Sequence, residues 1–156
     1  MMSAGKALEA DHHEIDRLFA TFITSTAGAG SVDQESLTEA IRKLRLHIWI
    51  EEEIFFPPLK AAGAVGPVMV MHREHGEIWR GLDNLERIVA GEEPDLEAVL
   101  FAWGPLNQTL TEHNYKEQKI LYASADRILE PSVSRKVNNA LIASLPEGWV
   151  CEMADR

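Results

Sequence analysis

Six polar residues of the 156-residue chain stand at spacings that can do chemistry. Two segments repeat a histidine followed four residues later by a glutamate: His47 with Glu51 in HIWIEEEIFF (47–56), and His113 with Glu117 in HNYKEQKILY (113–122). On a helix, positions i and i+4 lie about 40° apart and one above the other, so each pair can aim an imidazole and a carboxylate at one point. Two further segments, HHEIDR (12–17) and HGEIWR (75–80), share H-x-E-I-x-R and contribute His12 and His75. An interior carboxylate is costly unless it is paired or coordinated, and no adequate cation recurs at these spacings. Four imidazoles and two carboxylates suit two metal ions bridged by Glu51 and Glu117. This mixed nitrogen and oxygen set points to iron or manganese. Structural zinc prefers cysteine-rich sites, and magnesium and calcium are disfavoured by the number of imidazoles.

The elements that must position these residues are helical. Apolar periodicity marks one helix from about Ala4 to Ser25, closed by the small residues of TAGAGS. A second starts near Asp33, carries Leu37, Ile41, Leu44, Ile48 and Leu59 on one stripe, and ends by FPPLKAAGAVG. A third runs from about Pro67 to Gly91, and a fourth from near Pro94 to about Asp126, with a kink expected at Pro105. Strand signals are nearly absent. The first helix matches the third at an offset of 63 residues and the second matches the fourth at 66, so the chain reads as two copies of one helical hairpin. Short connections make this an all-α, antiparallel up-and-down four-helix bundle. A single domain of residues 1–156 is expected, with the bundle over about 4–126 and a C-terminal extension over about 127–156 that adds one short helix before an irregular end.

Other residues are assigned by the same geometry. Glu51 projects close to the apolar stripe, whereas Glu52 and Glu53 turn about 100° and 200° further round and read as solvated. His13 lies about 100° from His12 and reads as exposed. His72, three residues before His75, either supplies a fifth imidazole or merely lends polarity behind the site. Trp49, Trp79 and Trp103 read as core. Tyr115 and Tyr122 can reach toward the metals, but Tyr122 aligns with Phe56, which makes packing the shared requirement there. Glu14 with Arg17, and Glu77 with Arg80, read as i, i+3 surface ion pairs. A ferritin-type site needs Glu-x-x-His on two helices, and only Glu9 with His12 fits.

Composition narrows the partners. A formal charge of −10 argues against nucleic acid and against an acidic membrane surface. The N-terminal segment has no uninterrupted apolar stretch, because Glu9, Asp11, Glu14 and Asp16 break it, and no run is long enough to span a bilayer. Cys151 is the sole cysteine and lacks a catalytic signature, so a cytoplasmic location is expected.

His12, the pair His47 and Glu51, His75, and the pair His113 and Glu117 resemble the HHE cation-binding motif of haemerythrin-like proteins, over roughly residues 8 to 125. The resemblance implies a haemerythrin-like bundle holding two iron ions, two histidines on each, bridged by Glu51, Glu117 and an oxo or hydroxo group, with manganese or zinc as substitutes. It also implies a small diatomic or peroxidic ligand and a redox partner, and leaves a homo-oligomer open. The oxygen-carrier branch has two histidines spaced i, i+4 on the third helix, but here the residue four before His75 is Met71. Carriers also end with His-x-x-x-x-Asp, where this chain has His113 and Glu117 one residue closer. The set is more similar to di-iron proteins that repair iron centres damaged by nitrosative or oxidative stress. Two functions follow: handling of O2, NO or peroxide or support of such repair, and, as the alternative, an oxygen, nitric oxide or iron sensor without turnover. Whether the chain is an enzyme depends on which of these holds.

Overall fold

The computed structural model describes residues 1–155, and among these there is no strand. Helix α1 spans Ala4–Ala29, α2 Gln34–Ile50, α3 Phe56–Ala61, α4 Val65–Val89, α5 Leu96–Lys116, α6 Ala123–Ile128 and α7 Pro131–Leu141. The helix starts carry the expected chemistry. The Ser3 hydroxyl accepts from Lys6 N–H, and the Asp33 and Asp95 carboxylates accept from Ser36 and Glu97 N–H. Helix α1 runs four residues past the expected end before Gly30, at φ 67°, closes it in the left-handed conformation. Helix α5 passes through Pro105 without interruption.

α1 packs on α2 and α4 on α5, so each half of the chain is an antiparallel hairpin, and the two hairpins face each other as a four-helix bundle. α2 and α5 do not end at their glutamates. Each widens into a π-helical segment, Glu51–Phe55 and Glu117–Tyr122, and then resumes as α3 or α6. In the first, Phe56 N–H donates to Glu51 O, five residues back. Pro57 and Pro58 follow at once and have no N–H to restore the tighter ladder.

The core comes in two parts. One is built around Phe19, Phe22, Leu44, Ile48, Ile78 and Leu110, the other around Leu8, Ile50, Phe55, Leu59, Met71 and Leu121. α1, α2 and α4 therefore each cross from one apolar cluster to the other, α5 does so through its π-helical continuation to Leu121 and Tyr122, and the six polar residues lie at the crossing. On α1 the order is Leu8, His12, Ile15; on α4 it is Met71, His75, Ile78. The stripe residues Leu37, Ile41, Leu44, Ile48 and Leu59 are all buried, as is Trp79, while Trp49 and Trp103 are half-buried against the core.

After α7 the chain returns to lie across α4. Arg80 donates to the carbonyls of Met153 (2.8 Å) and Ala154 (3.3 Å), so it does not form the expected pair with Glu77. Trp149 packs edge-on against Trp79 and donates from Nε1 to Glu53 at 3.0 Å. The crossing point requires a glycine, since a Cβ on Gly76 would stand 2.3 Å from Met153 O. Cys151, beneath this segment, is 3% exposed, and burial together with Glu52 raises its thiol to about 11. The folded chain is therefore expected to resist thiol reagents at neutral pH. Gly76→Ala should push the segment off α4, cost about 1–3 kcal/mol and make Cys151 reactive. Labelling of the variant as slow as that of the native chain would show that the close approach does not hold the segment.

Candidate metal centre

The wide turns and the hairpin packing bring all six expected residues to one place. His12, His47, Glu51 and Glu117 form one group of potential metal donors, and Glu51, His75, His113 and Glu117 a second; within each, the donor atoms lie within 4.8 Å of one another. Glu51 and Glu117 belong to both. Each group takes three residues from one hairpin and one carboxylate from the other. All six are at most 3% exposed.

The four imidazoles are oriented alike. Each turns Nε2 to the centre: His12 stands 3.1 Å from Glu117, His47 3.4 Å from Glu51, His75 3.1 Å from Glu51 and His113 3.2 Å from Glu117. Each Nδ1 is held from behind, by Gln118 for His12 (3.1 Å), Asp11 for His47 (2.8 Å), Glu52 for His75 (2.7 Å) and Glu74 for His113 (3.0 Å). Outer partners of this kind fix the ring, and the three carboxylates, which accept from Nδ1–H, leave Nε2 as the free donor.

These outer partners follow the duplication, which sequence reasoning missed. Asp11 and Glu74 each precede the histidine of the H-x-E-I-x-R segment and grip the histidine on the next helix of the same hairpin. Each is also paired with a lysine, Lys43 or Lys116. Gln118 and Glu52 each follow a central glutamate. An acidic residue directly before His12 and His75 was the available signal.

Two expectations are corrected. Glu52 is buried: it accepts from Glu152 N–H at 3.0 Å, and His75 and His72 outweigh the burial penalty to bring its carboxyl down to about 2. The overlying C-terminal segment excludes the solvent that position 52 was expected to meet. Glu53 is exposed, as expected, and accepts from Trp149. Tyr122 does more than pack: its hydroxyl donates to Glu51 Oε2 at 2.5 Å and stands 3.0 Å from Glu117 Oε1. Burial and the two carboxylates hold its phenol well above its ordinary range. Tyr115 is exposed and apart from the site.

His13 is exposed, as expected. His72, left open by the sequence, belongs to neither group; its Nδ1 lies 3.5 Å from Glu52 and 3.2 Å from Glu152. Arg17 pairs with Glu14 at the surface through two bonds, 3.0 and 2.6 Å.

Without an ion the charge balance is strained. Burial opposes charging of His47, yet Glu51 and Asp11 lift it to about 10. His75 and His113 are likewise raised by facing carboxylates against burial, while burial and the charge of His47 push His12 down. Glu117 Oε2 is buried and has no hydrogen-bond donor, since His113 Nε2 approaches without hydrogen-bond geometry. Buried acceptors without donors are rare, and an ion between the carboxylates and the Nε2 atoms satisfies this one.

A helical bundle whose interior holds two adjoining groups of imidazole and carboxylate donors is a metal-binding bundle. The chain belongs to the family of the Hemerythrin HHE cation binding domain, whose model matches residues 4–125. Comparison with curated proteins and with solved structures gives no match. Among the described residues no helix is long and apolar enough to cross a membrane.

Proposed function

We propose that the protein is a non-haem di-iron protein that handles O2, NO or peroxide, or supports repair of damaged iron centres. The observation that carries this reading is the sharing of Glu51 and Glu117 between two donor groups of mixed nitrogen and oxygen character. His12 and His47 would be the terminal ligands of the first position and His75 and His113 those of the second, with Glu51 and Glu117 available to both. Two irons, when bound, supply the one-electron steps by which a small diatomic or peroxidic species is bound or reduced.

The protein's part is to orient and to exclude. Asp11, Glu52, Glu74 and Gln118 hold the four rings so that Nε2 faces inward. The apolar clusters above and below keep bulk water from the carboxylates, which strengthens every charge interaction there. Manganese or zinc fits the same donors less selectively, because divalent affinity alone discriminates poorly.

A sensor without turnover is the second reading, favoured by the contact of Glu152 N–H with Glu52, which joins the C-terminal segment to the residue behind His75. Elemental analysis of protein produced in iron-supplemented medium tests the metal. Two irons per chain, with absorption bands that bleach on reduction, is the expected result; iron no higher than in a His47→Ala variant overturns it. Consumption of peroxide or nitric oxide by the loaded protein then separates turnover from sensing.

A further inference from the structure

The two donor groups are related by the duplication, yet one oxygen atom breaks their equivalence. Five residues after Glu51 stands Phe56; five residues after Glu117 stands Tyr122. Phe56 stacks on His75, with ring centroids 5.5 Å apart and planes at 19°, and offers the second group no further donor. Tyr122 places its hydroxyl among all four residues of the first group. It lies 2.5 Å from Glu51 Oε2, 3.0 Å from Glu117 Oε1, 3.1 Å from His47 Nε2 and 3.2 Å from His12 Nε2.

We propose that Tyr122 is a fifth protein ligand of the metal position formed by His12, His47, Glu51 and Glu117, and that the two positions are therefore chemically distinct. This rests on the metal-binding reading given above. An ion held by those four residues enters the space around the phenol oxygen, and the oxygen has nowhere to retreat. The ring is 4% exposed, lies edge-on to Phe55 at 5.5 Å and leans on His12 at 5.3 Å. The π turn fixes its direction. In an α-helix position i+5 lies about 140° round from i, whereas the wider turn swings Tyr122 over Glu117. The phenol passes its proton to solvent as its oxygen takes the ion, with no change of oxidation state.

The surroundings divide charge to match. Asp11 and Glu74 are each neutralised by a lysine, while Glu52, behind His75, has no lysine or arginine partner among the described residues. Its counterpart behind His12 is the neutral amide of Gln118. The first position thus gains its extra anion as a phenolate ligand, and the second gains it as a carboxylate behind an imidazole. A hard trivalent cation such as ferric iron is the ion that an anionic oxygen favours at the first position.

The test compares iron(III)-loaded full-length protein with Tyr122→Phe, which removes one oxygen and keeps the ring. Iron content, visible absorption and resonance Raman spectra are read on both. The native protein should show a phenolate-to-iron(III) charge-transfer band with tyrosinate ring modes. Both should vanish in the variant while it keeps two irons per chain, or one if the first position empties. Tyr115 is the only other tyrosine and is 62% exposed, so the assignment rests on one residue. Native protein that holds two irons without tyrosinate modes, or a variant that keeps them, overturns the proposal and leaves Tyr122 as a donor to Glu51. Absence of iron from the native protein removes the metal reading itself, and this proposal with it.

Discussion

Glu51→Ala is expected to lower the stability of the metal-free chain by about 3–5 kcal/mol at neutral pH, because it leaves buried charged imidazoles without the carboxylate that offsets them. His47 and His75 both face this carboxylate, at 3.4 and 3.1 Å, and neither can reach water to compensate. The same change removes a donor from both groups, so iron uptake should fall at both positions together rather than at one. Denaturant unfolding of metal-free protein reads the first effect and elemental analysis the second. A midpoint that stays put or rises would mean that the carboxylate is expendable and the polar layer carries no necessary charge balance. Loss of a single ion would show that Glu51 serves one position only.

The second large effect is on pH. His47, His75 and His113 all sit above the ordinary imidazole value in the metal-free chain, His47 at about 10. A raised group stabilises the fold fully below its unfolded value, about 6.5, and loses that contribution as pH climbs through its folded value. Metal-free protein should therefore weaken from neutral toward about pH 10. Metal reverses the trend, since ligands must give up their protons to bind it. Loading near neutral pH expels protons from the raised histidines, and from Tyr122 where its oxygen takes the ion, but not from His12, which burial and the charge of His47 keep neutral. Affinity should then fall with acid at a slope of about two to four decades per pH unit, His47 and His75 supplying two protons and His113 and Tyr122 the rest. Competition with a chelator at about pH 6 and about pH 8 measures it, and a slope near zero would show that these imidazoles are neutral before metal arrives.

The bundle and its six central residues were legible in the sequence because both follow the 3.6-residue period up to Glu51 and Glu117. What followed those glutamates was not. Tyr122 was placed by analogy with Phe56, and Glu52 by an angle that assumes free solvent at the helix face. The π turns and the returning C-terminal segment change both conditions, and neither shows in a local pattern. A trace of the second was present: Gly76 and Trp79 stand where the first copy has His13 and Asp16. The exposed pair stands open on α1, whereas the glycine and tryptophan stand on α4 under the last residues. The outer carboxylates Asp11 and Glu74 were visible as a repeat, but a residue adjacent to a histidine points about 100° away on its own helix. Only the packing of the neighbouring helix reveals that it serves the next histidine.

Because each position draws three residues from one hairpin and a single carboxylate from the other, a bound ion is a crosslink between the two halves of the chain. The halves cannot part while metal is held there. Unfolding of the loaded protein then becomes limited by how fast metal leaves, and its lifetime is set by a dissociation rate rather than by the strength of the apolar clusters.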